Sequence, residues 1–428
     1  MQRSRAQLLD DCFLHDSERM RHGEALALLK SRLSPIASVQ SFNLVGAQGK
    51  FAAAPVHATI AVPGHDNAAV DGYAFAHESR AVRKALQITE RIAAGDTTAV
   101  TLQDGEAARI FTGAPVPAGA DTVAMQEDCR VVDGTFVEVP RGLRKGANRR
   151  KAGEDMQAGD TIVDSGQLLR PQDIAAAAAS GIAQIEVFAP LRVALIGSGS
   201  EIVRPGIGKD AGQVYDSNFF LLSGLLASLN VTVIDTGVLA DDHAQIRSAL
   251  SRAAEDCDVI ISTGGASRGE EDHIVRCLDE LGSRHWWQIA VKPGRPMCFG
   301  QIGSTPFFGL PGNPVAAFVC FLLYVRPSLF RLGGGNWPEP ARFRVEAGFS
   351  VADKKPQRRE FWRGWLEQKS GGGLVARKFA RDGSGLISGL RAATGLIEIS
   401  EDVLQVSEGD HLDFIPFSEL GLDGPTLR

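Results

Sequence analysis

At 428 residues, with 44% hydrophobic and 22% charged residues, the chain has the length of about three domains and the makeup of an ordinary globular protein. A formal net charge of −6 with no Lys/Arg stripe to offset it excludes a general nucleic-acid binder. Six widely spaced cysteines (12, 129, 257, 277, 298 and 320) form no CxxC, which excludes a zinc ribbon or disulfide framework and suits a reduced, cytoplasmic setting.

The N-terminal MQRSRAQLLDDCFLHDSERM has no continuous apolar core and does not read as a secretory signal. Residues 1–50 read as helical, with Ala25, Leu26, Leu28 and Leu29 spaced for packing. From Phe51 the texture changes to short β-type runs broken by Gly and Pro. Within it, VPGHDNAAVDGYAF carries turn signals at Pro63-Gly64 and Asp66-Asn67, and two aspartates five apart that suit turn capping. FTGAPVPAGADTVAMQED (111–128) follows, with Thr112 just after a strand-like ARIF. The basic RGLRKGANRRK (141–151) reads as a solvated loop, and GANRRKAGEDMQAGD leads into TIV and an Ala-rich helix over 173–180. The pattern predicts a β-rich insertion at 51–149 inside a helical module of residues 1–50 and 150–188.

From Leu191 strands and helices alternate: LRVALIG, GQVYDSNFFLLSGLLASL, VTVIDTG, DDHAQIRSALSRAAED, DVIISTGG, DHIVRCLDELG and WWQIAVKPG. Right-handed crossovers then predict a doubly wound, mainly parallel α/β domain over 189–334, whose ligand lies beyond the carboxyl ends of the strands. Four polar motifs fall on that rim: GSGSE, Asp241-Asp242, TGGASRGEED and KPGRP. Val259, Ile260 and Ile261 suit a strand buried on both faces, and Gly264-Gly265 ends it with residues that tolerate positive φ. Glu270 and Glu271 are equally well read as dipole partners of the following helix or as site residues. Lys292 and Arg295 put two positive charges on a loop that Pro293 and Gly294 keep from being helical, which points to an anionic ligand.

MCFGQIGSTPFFGLPGNP reads as a hairpin and 315–332 as a closing helix, preceded by PGNP; its apolar run, Val315 to Val325, is too short to span a bilayer. Residues 335–428 read as a small β-barrel or sandwich. The GSGS segment lacks the last glycine of a dinucleotide fingerprint, and no Walker A lysine or catalytic triad is indicated.

DNAAVDGYA, TGAPVPAGAD, GED, GQVYDSN, TGGASRGEED, KPGRP and GLPGNPVAAF, in this order along nearly the whole chain, resemble the molybdopterin molybdenumtransferase family, MoeA and the gephyrin E domain. The resemblance implies a segmented linker domain, a β-rich insertion, a molybdopterin-binding α/β domain and a C-terminal β-barrel, assembled as a homodimer with shared active sites. It implies Mg²⁺-dependent insertion of molybdate into adenylylated molybdopterin with release of AMP. Molybdopterin adenylyltransferase or cofactor-receiving enzymes are the protein partners it suggests; neither nucleic acid nor membrane is expected. The residues that fall on the family's functional positions are Asp66, Thr112, Glu201, Asp241, Asp272, Lys292, Arg363 and Ser384, with Glu201, Asp241 and Asp272 as metal ligands. Gly264, Gly265, Ser267, Arg295, Pro311 and Asn313 join Thr112, Arg363 and Ser384 as expected cofactor contacts. Capping of a helix or turn is the competing role for Glu201 and Asp241.

The chain departs from the family pattern in the site. Ser200 precedes Glu201 where an acidic pair is usual, Gln288 and Arg295 stand where lysines are usual, Ala68 replaces a serine, and Arg268 is an addition. Three readings follow: an authentic insertase, a relative that binds the cofactor as carrier or assembly partner, and, from the α/β domain alone, an adenylyltransferase-like or nucleotide-hydrolase-like protein.

Overall fold

The structure, a computed structural model, describes residues 19–264, 273–422 and 424. Its centre is a six-stranded sheet in the order Val231–Leu239, Leu191–Ser198, Val259–Thr263, Thr305–Leu310, Pro296–Ile302, Gly282–Gln288. The first four strands are parallel and the last two antiparallel. Val259, Ile260 and Ile261 lie fully buried in the middle of it, because helices cover both faces.

A second six-stranded sheet lies in the insertion, ordered Thr122–Met125, Gly72–Phe75, Glu106–Ile110, Leu86–Ile92, Phe136–Glu138, Arg130–Val132. At the C-terminal end, Arg359–Gln368, Leu374–Lys378, Phe343–Ala347, His411–Pro416 and Gly395–Ile399 pair in turn. Gly395–Ile399 then pairs back onto Arg359–Gln368, closing a five-stranded barrel.

Three expectations need correction. Residues 1–50 are not all helical: among the described residues His22–Arg32 is a helix, but Val39–Asn43 is a strand that pairs antiparallel with Gln184–Phe188. Its partner lies some 145 residues away, so no local periodicity announced it. The helix expected from GQVYDSN starts only at Ser217, where the Asp216 carboxylate accepts from Phe219 N at 3.0 Å; Val214–Tyr215 instead pairs with Ile202–Val203. WWQIAVKPG is not one strand. Gly282–Gln288 forms the sheet edge, while Val291–Lys292 leaves it to pair in parallel with Arg359 and Glu360 of the barrel.

That departure joins the α/β sheet to the barrel, and one hydrophobic cluster runs through both. It includes Leu29, Leu191, Val259, Phe299, Phe308, Phe318 and Tyr324 together with Phe361, Leu396 and Ile415 of the barrel. Each such fully buried side chain contributes about 1.5–3 kcal/mol. Pro314–Leu332 is long and apolar enough, by length and composition alone, to cross a membrane, yet most of it is buried in this core.

His22 opens the first helix inside the same core, its Nδ1 2.8 Å from the buried Tyr324 hydroxyl. Burial, helped by the Arg359 and Arg342 charges and opposed by Glu401, lowers its pKa to about 3. The neutral ring is therefore the folded form. Its stabilisation is complete above about pH 6.5 and is lost as pH falls towards 3, because only the unfolded chain takes up the proton. By pH 5 the loss is about 2 kcal/mol. His22→Asn keeps a hydrogen-bonding group and should flatten that part of the profile, as read by chemical denaturation at pH 7, 6 and 5.

Candidate functional site

A cavity of about 350 Å³ lies where the α/β domain meets the barrel. Six predicted residues line it: Lys292, Arg295, Pro311, Asn313, Arg363 and Ser384. The path of the chain explains the convergence. Lys292 is carried to the barrel by its pairing opposite Glu360, and Ser384 O accepts from Val315 N at 3.0 Å at the start of the closing helix. Gly294 has φ +115°, and a Cβ there would lie 2.3 Å from Cys320 Sγ, so the loop packs this closely only with glycine. The Lys292-Pro293 peptide bond is cis.

Arg19, Arg358, Lys378 and Asp382 also line the cavity and were not anticipated. The runs QRRE and ARKFARD beside Arg363 and Ser384 were the available signal. Six cations, Arg19, Lys292, Arg295, Arg358, Arg363 and Lys378, thus share one wall system with the single carboxylate of Asp382. Lys292 Nζ sits 3.4 Å from the buried Glu360 carboxylate and 3.9 Å from Asp382; Arg358 binds Glu360 at 2.8 Å, and Lys378 pairs with Asp382. Burial pushes the Glu360 carboxyl up, but the Trp362 indole N–H, Arg358 and Lys292 outweigh it and hold the group below the usual carboxylate range. Asp382 is likewise raised by burial and lowered further by Lys378, Lys292 and Arg363. Even with both acids ionised the cavity is cationic, for Arg19 and Arg295 have no ion-pair partner among the described residues.

Arg363 differs in kind from the others. Its guanidinium donates to the carbonyls of Leu386, Arg381 and Gly383 at 2.8–3.2 Å, so it shapes the loop that presents Ser384. Gln288 does not line the cavity; its carbonyl accepts from Met20 N at 3.1 Å.

The sheet rim holds the second group. Ser200 N donates to Asp241 Oδ2 at 2.8 Å and Asp241 N donates to Ser200 Oγ at 3.1 Å, a reciprocal clamp between two strand-end loops. Asp242, not Asp241, caps the following helix through Gln245 N at 2.7 Å, so of the capping roles Asp241 keeps only the one on the Ser200 loop. Glu201 is exposed beside Gly199, where a Cβ would lie 2.7 Å from Glu201 Oε2. Gly264 has φ +84°, and a Cβ there would meet Ser198 O at 2.4 Å. Gly265, Ser267, Arg268, Glu270, Glu271 and Asp272 lie outside the described residues. Among the described residues no three metal-ligating side chains cluster, so Glu201 and Asp241 form at most part of a metal site.

Asp66 and Thr112 do not line the cavity. Asp66 Oδ1 accepts from Ala152 N at 2.8 Å, and Arg149 stands 3.4 Å from its other oxygen. Asp71, the second aspartate of DNAAVDGYA, accepts from both N and Oγ1 of Thr112 at 2.8 Å, and those bonds hold its carboxyl below the usual range. Ala68 is fully buried in the insertion core, where it packs without a polar group to satisfy.

A concave, cation-lined cleft at the carboxyl side of a doubly wound sheet has the form of a site for anionic small molecules. Residues 20–181 match the MoeA N-terminal region (domain I and II), 194–331 the probable molybdopterin binding domain, and 345–417 the MoeA C-terminal region (domain IV). The molybdopterin molybdenumtransferase of Haemophilus influenzae is 34% identical over 382 residues, 88% of this chain and 94% of its own. Molybdopterin molybdenumtransferase 2 of Mycobacterium tuberculosis is 34% identical over 383 residues, 86% and 93% of the two chains. The molybdopterin biosynthesis MoeA protein of Pyrococcus horikoshii superposes with a TM-score of 0.78 at 27% identity, over 93% of this chain and 100% of that one. This chain belongs to the molybdopterin molybdenumtransferase (MoeA) family, the transferases of molybdenum cofactor biosynthesis.

Proposed function

We propose that the protein inserts molybdate into adenylylated molybdopterin, with AMP leaving, and that the cationic cavity between α/β domain and barrel is where the anions are held. The excess of positive charge around Lys292 and Arg295 carries this reading. Arg295 offers a planar fork to phosphate or molybdate oxygens, and Lys292 a point charge. Ser384 and Asn313 add neutral hydrogen bonds, and the loop held by Arg363 closes the barrel side.

Glu201 and Asp241 suit Mg²⁺, which is commonly held by one or two carboxylates together with substrate phosphates. Bound there, Mg²⁺ would neutralise the pyrophosphate charge. The Ser200 clamp orients Asp241 in place of the family's second acid, leaving one acid fewer in the loop. The decisive assay mixes the purified protein with adenylylated molybdopterin, molybdate and Mg²⁺ and measures AMP. Tight binding of the nucleotide with no AMP under any metal condition would establish the carrier reading instead.

Asp66 and Thr112 stand outside the cavity of their own chain, which supports a homodimer whose partner supplies them. With substrate held well below its dissociation constant, Asp66→Asn and Lys292→Ala should each be nearly inactive, the latter through its loss of affinity. Mixed after dissociation and reassociation, they should recover about one quarter of wild-type activity, because half of the dimers are hybrids with one intact site. No recovery in demonstrated hybrids would place both residues in one chain's site. The domain division at 51–149, 189–334 and 335–428, with 1–50 and 150–188 forming the linker, and a reduced cytoplasmic setting, complete the proposal.

A further inference from the structure

A second cavity, of about 210 Å³, lies farther along the closing helix, between the first helix, the linker around Trp337 and the C-terminal Leu420. Its walls are largely apolar, with Leu26, Leu323, Pro327, Trp337, Pro340 and Leu420 among them. Arg326 opens into it. This arginine is only 9% exposed, its Nε has no hydrogen-bond partner, and no ion pair neutralises it among the described residues. Its guanidinium lies 4.7 Å from the Phe330 ring, a contact that offsets only part of the cost of burying a charge. Burial lowers its pKa from the usual arginine value. The neighbouring Arg331, by contrast, donates to Leu33 O at 3.1 Å.

The other charges in the cavity wall are already matched. Lys30 pairs with Glu339 at 2.6 Å, Arg342 with Glu398 at 2.7 Å, and His22 is neutral in its buried place. Among the described residues one positive charge therefore remains uncompensated, in a largely apolar chamber with an aromatic wall. Gly421 lies against it: a Cβ there would sit 3.0 Å from Arg326 Nη2.

We infer that this chamber is a binding site for a small monocarboxylate with an apolar, ring-sized body, its carboxylate held by Arg326. A planar carboxylate matches the guanidinium fork, and a single charge matches the single vacancy in the charge balance. A phosphate dianion fits less well, since Glu339 lines the same wall. The site is separate from the Lys292 cavity and shares no lining residue with it.

Phenylacetate serves as the probe, titrated into the full-length protein by calorimetry and ligand-observed NMR. Saturable binding is expected, with the neutral methyl ester at least about tenfold weaker. Arg326→Met keeps the volume and removes the charge; it should weaken phenylacetate at least about tenfold while melting at or above the wild-type temperature, since an unpaired buried charge is gone. Ala27→Phe, at an exposed position on the cavity wall, should block the probe without disturbing the core, and it decides the matter if Arg326→Met does not fold. Lys292→Ala should leave the titration unchanged. No binding to the wild type, equal binding of acid and ester, equal binding by Arg326→Met, or loss of binding in Lys292→Ala would each overturn the assignment.

Discussion

Lys292→Ala should lower affinity for adenylylated molybdopterin about 30-fold and leave the melting temperature nearly unchanged. A charge-assisted hydrogen bond to a phosphate oxygen contributes about 1.5–3 kcal/mol, and 2 kcal/mol corresponds to that factor. The residue is roughly one-third exposed, so part of the interaction is screened, and the effect should shrink as salt is raised. Folding is insulated because Glu360 keeps Arg358 at 2.8 Å and the Trp362 indole N–H at 2.8 Å when the lysine is removed. Titration calorimetry at low and high salt, beside a thermal melt, separates the two. An unchanged dissociation constant would remove Lys292 from the anion site, and a collapsed melting temperature would make it a structural residue.

Gly264→Ala should cost about 3 kcal/mol of stability and most of the activity. Two penalties add at that position: the left-handed backbone at φ +84°, and a methyl group 2.4 Å from Ser198 O, a main-chain atom that cannot rotate away. Relief requires the 198–201 loop to move, and that loop carries Ser200 and Glu201 and the clamp on Asp241. Gly303→Ala isolates the first penalty, since Gly303 has φ +60° and open space around it. It should cost only about 1 kcal/mol and leave turnover intact. Urea denaturation with AMP release on the same samples tests the pair. Equal effects of the two substitutions would mean that the close approach of the two loops does not matter.

Much of the protein could be read before any coordinates. The apolar run Val259–Ile261 and the alternation around it specified a doubly wound sheet, because a strand buried on both faces and a helix with one apolar stripe leave period-specific marks in a sequence. Motif order identified the family; KPGRP and GLPGNP held Lys292, Arg295, Pro311 and Asn313, and the resemblance added Arg363 and Ser384, all of which line one cavity. Apart from Arg363, these residues sit on short loops next to strongly patterned elements, so their position follows once the elements are placed.

Contacts between distant segments were beyond that reading. Val39–Asn43 is a strand only because Gln184–Phe188 lies beside it, and Val291–Lys292 leaves the sheet only because the barrel strand at Arg359 receives it. The extra cations Arg19, Arg358 and Lys378 look in sequence like ordinary surface charge; folding sets them around one hollow. Ser200, a departure in the motif, acquires meaning from hydrogen bonds to a residue 41 positions away. Arg326 sits inside a long apolar helix with no motif about it, and its charge, unpaired among the described residues, becomes visible only once the surrounding walls are placed. Local propensity is written residue by residue, whereas pairing, charge balance and cavity shape are sums over segments that only the folded chain brings together.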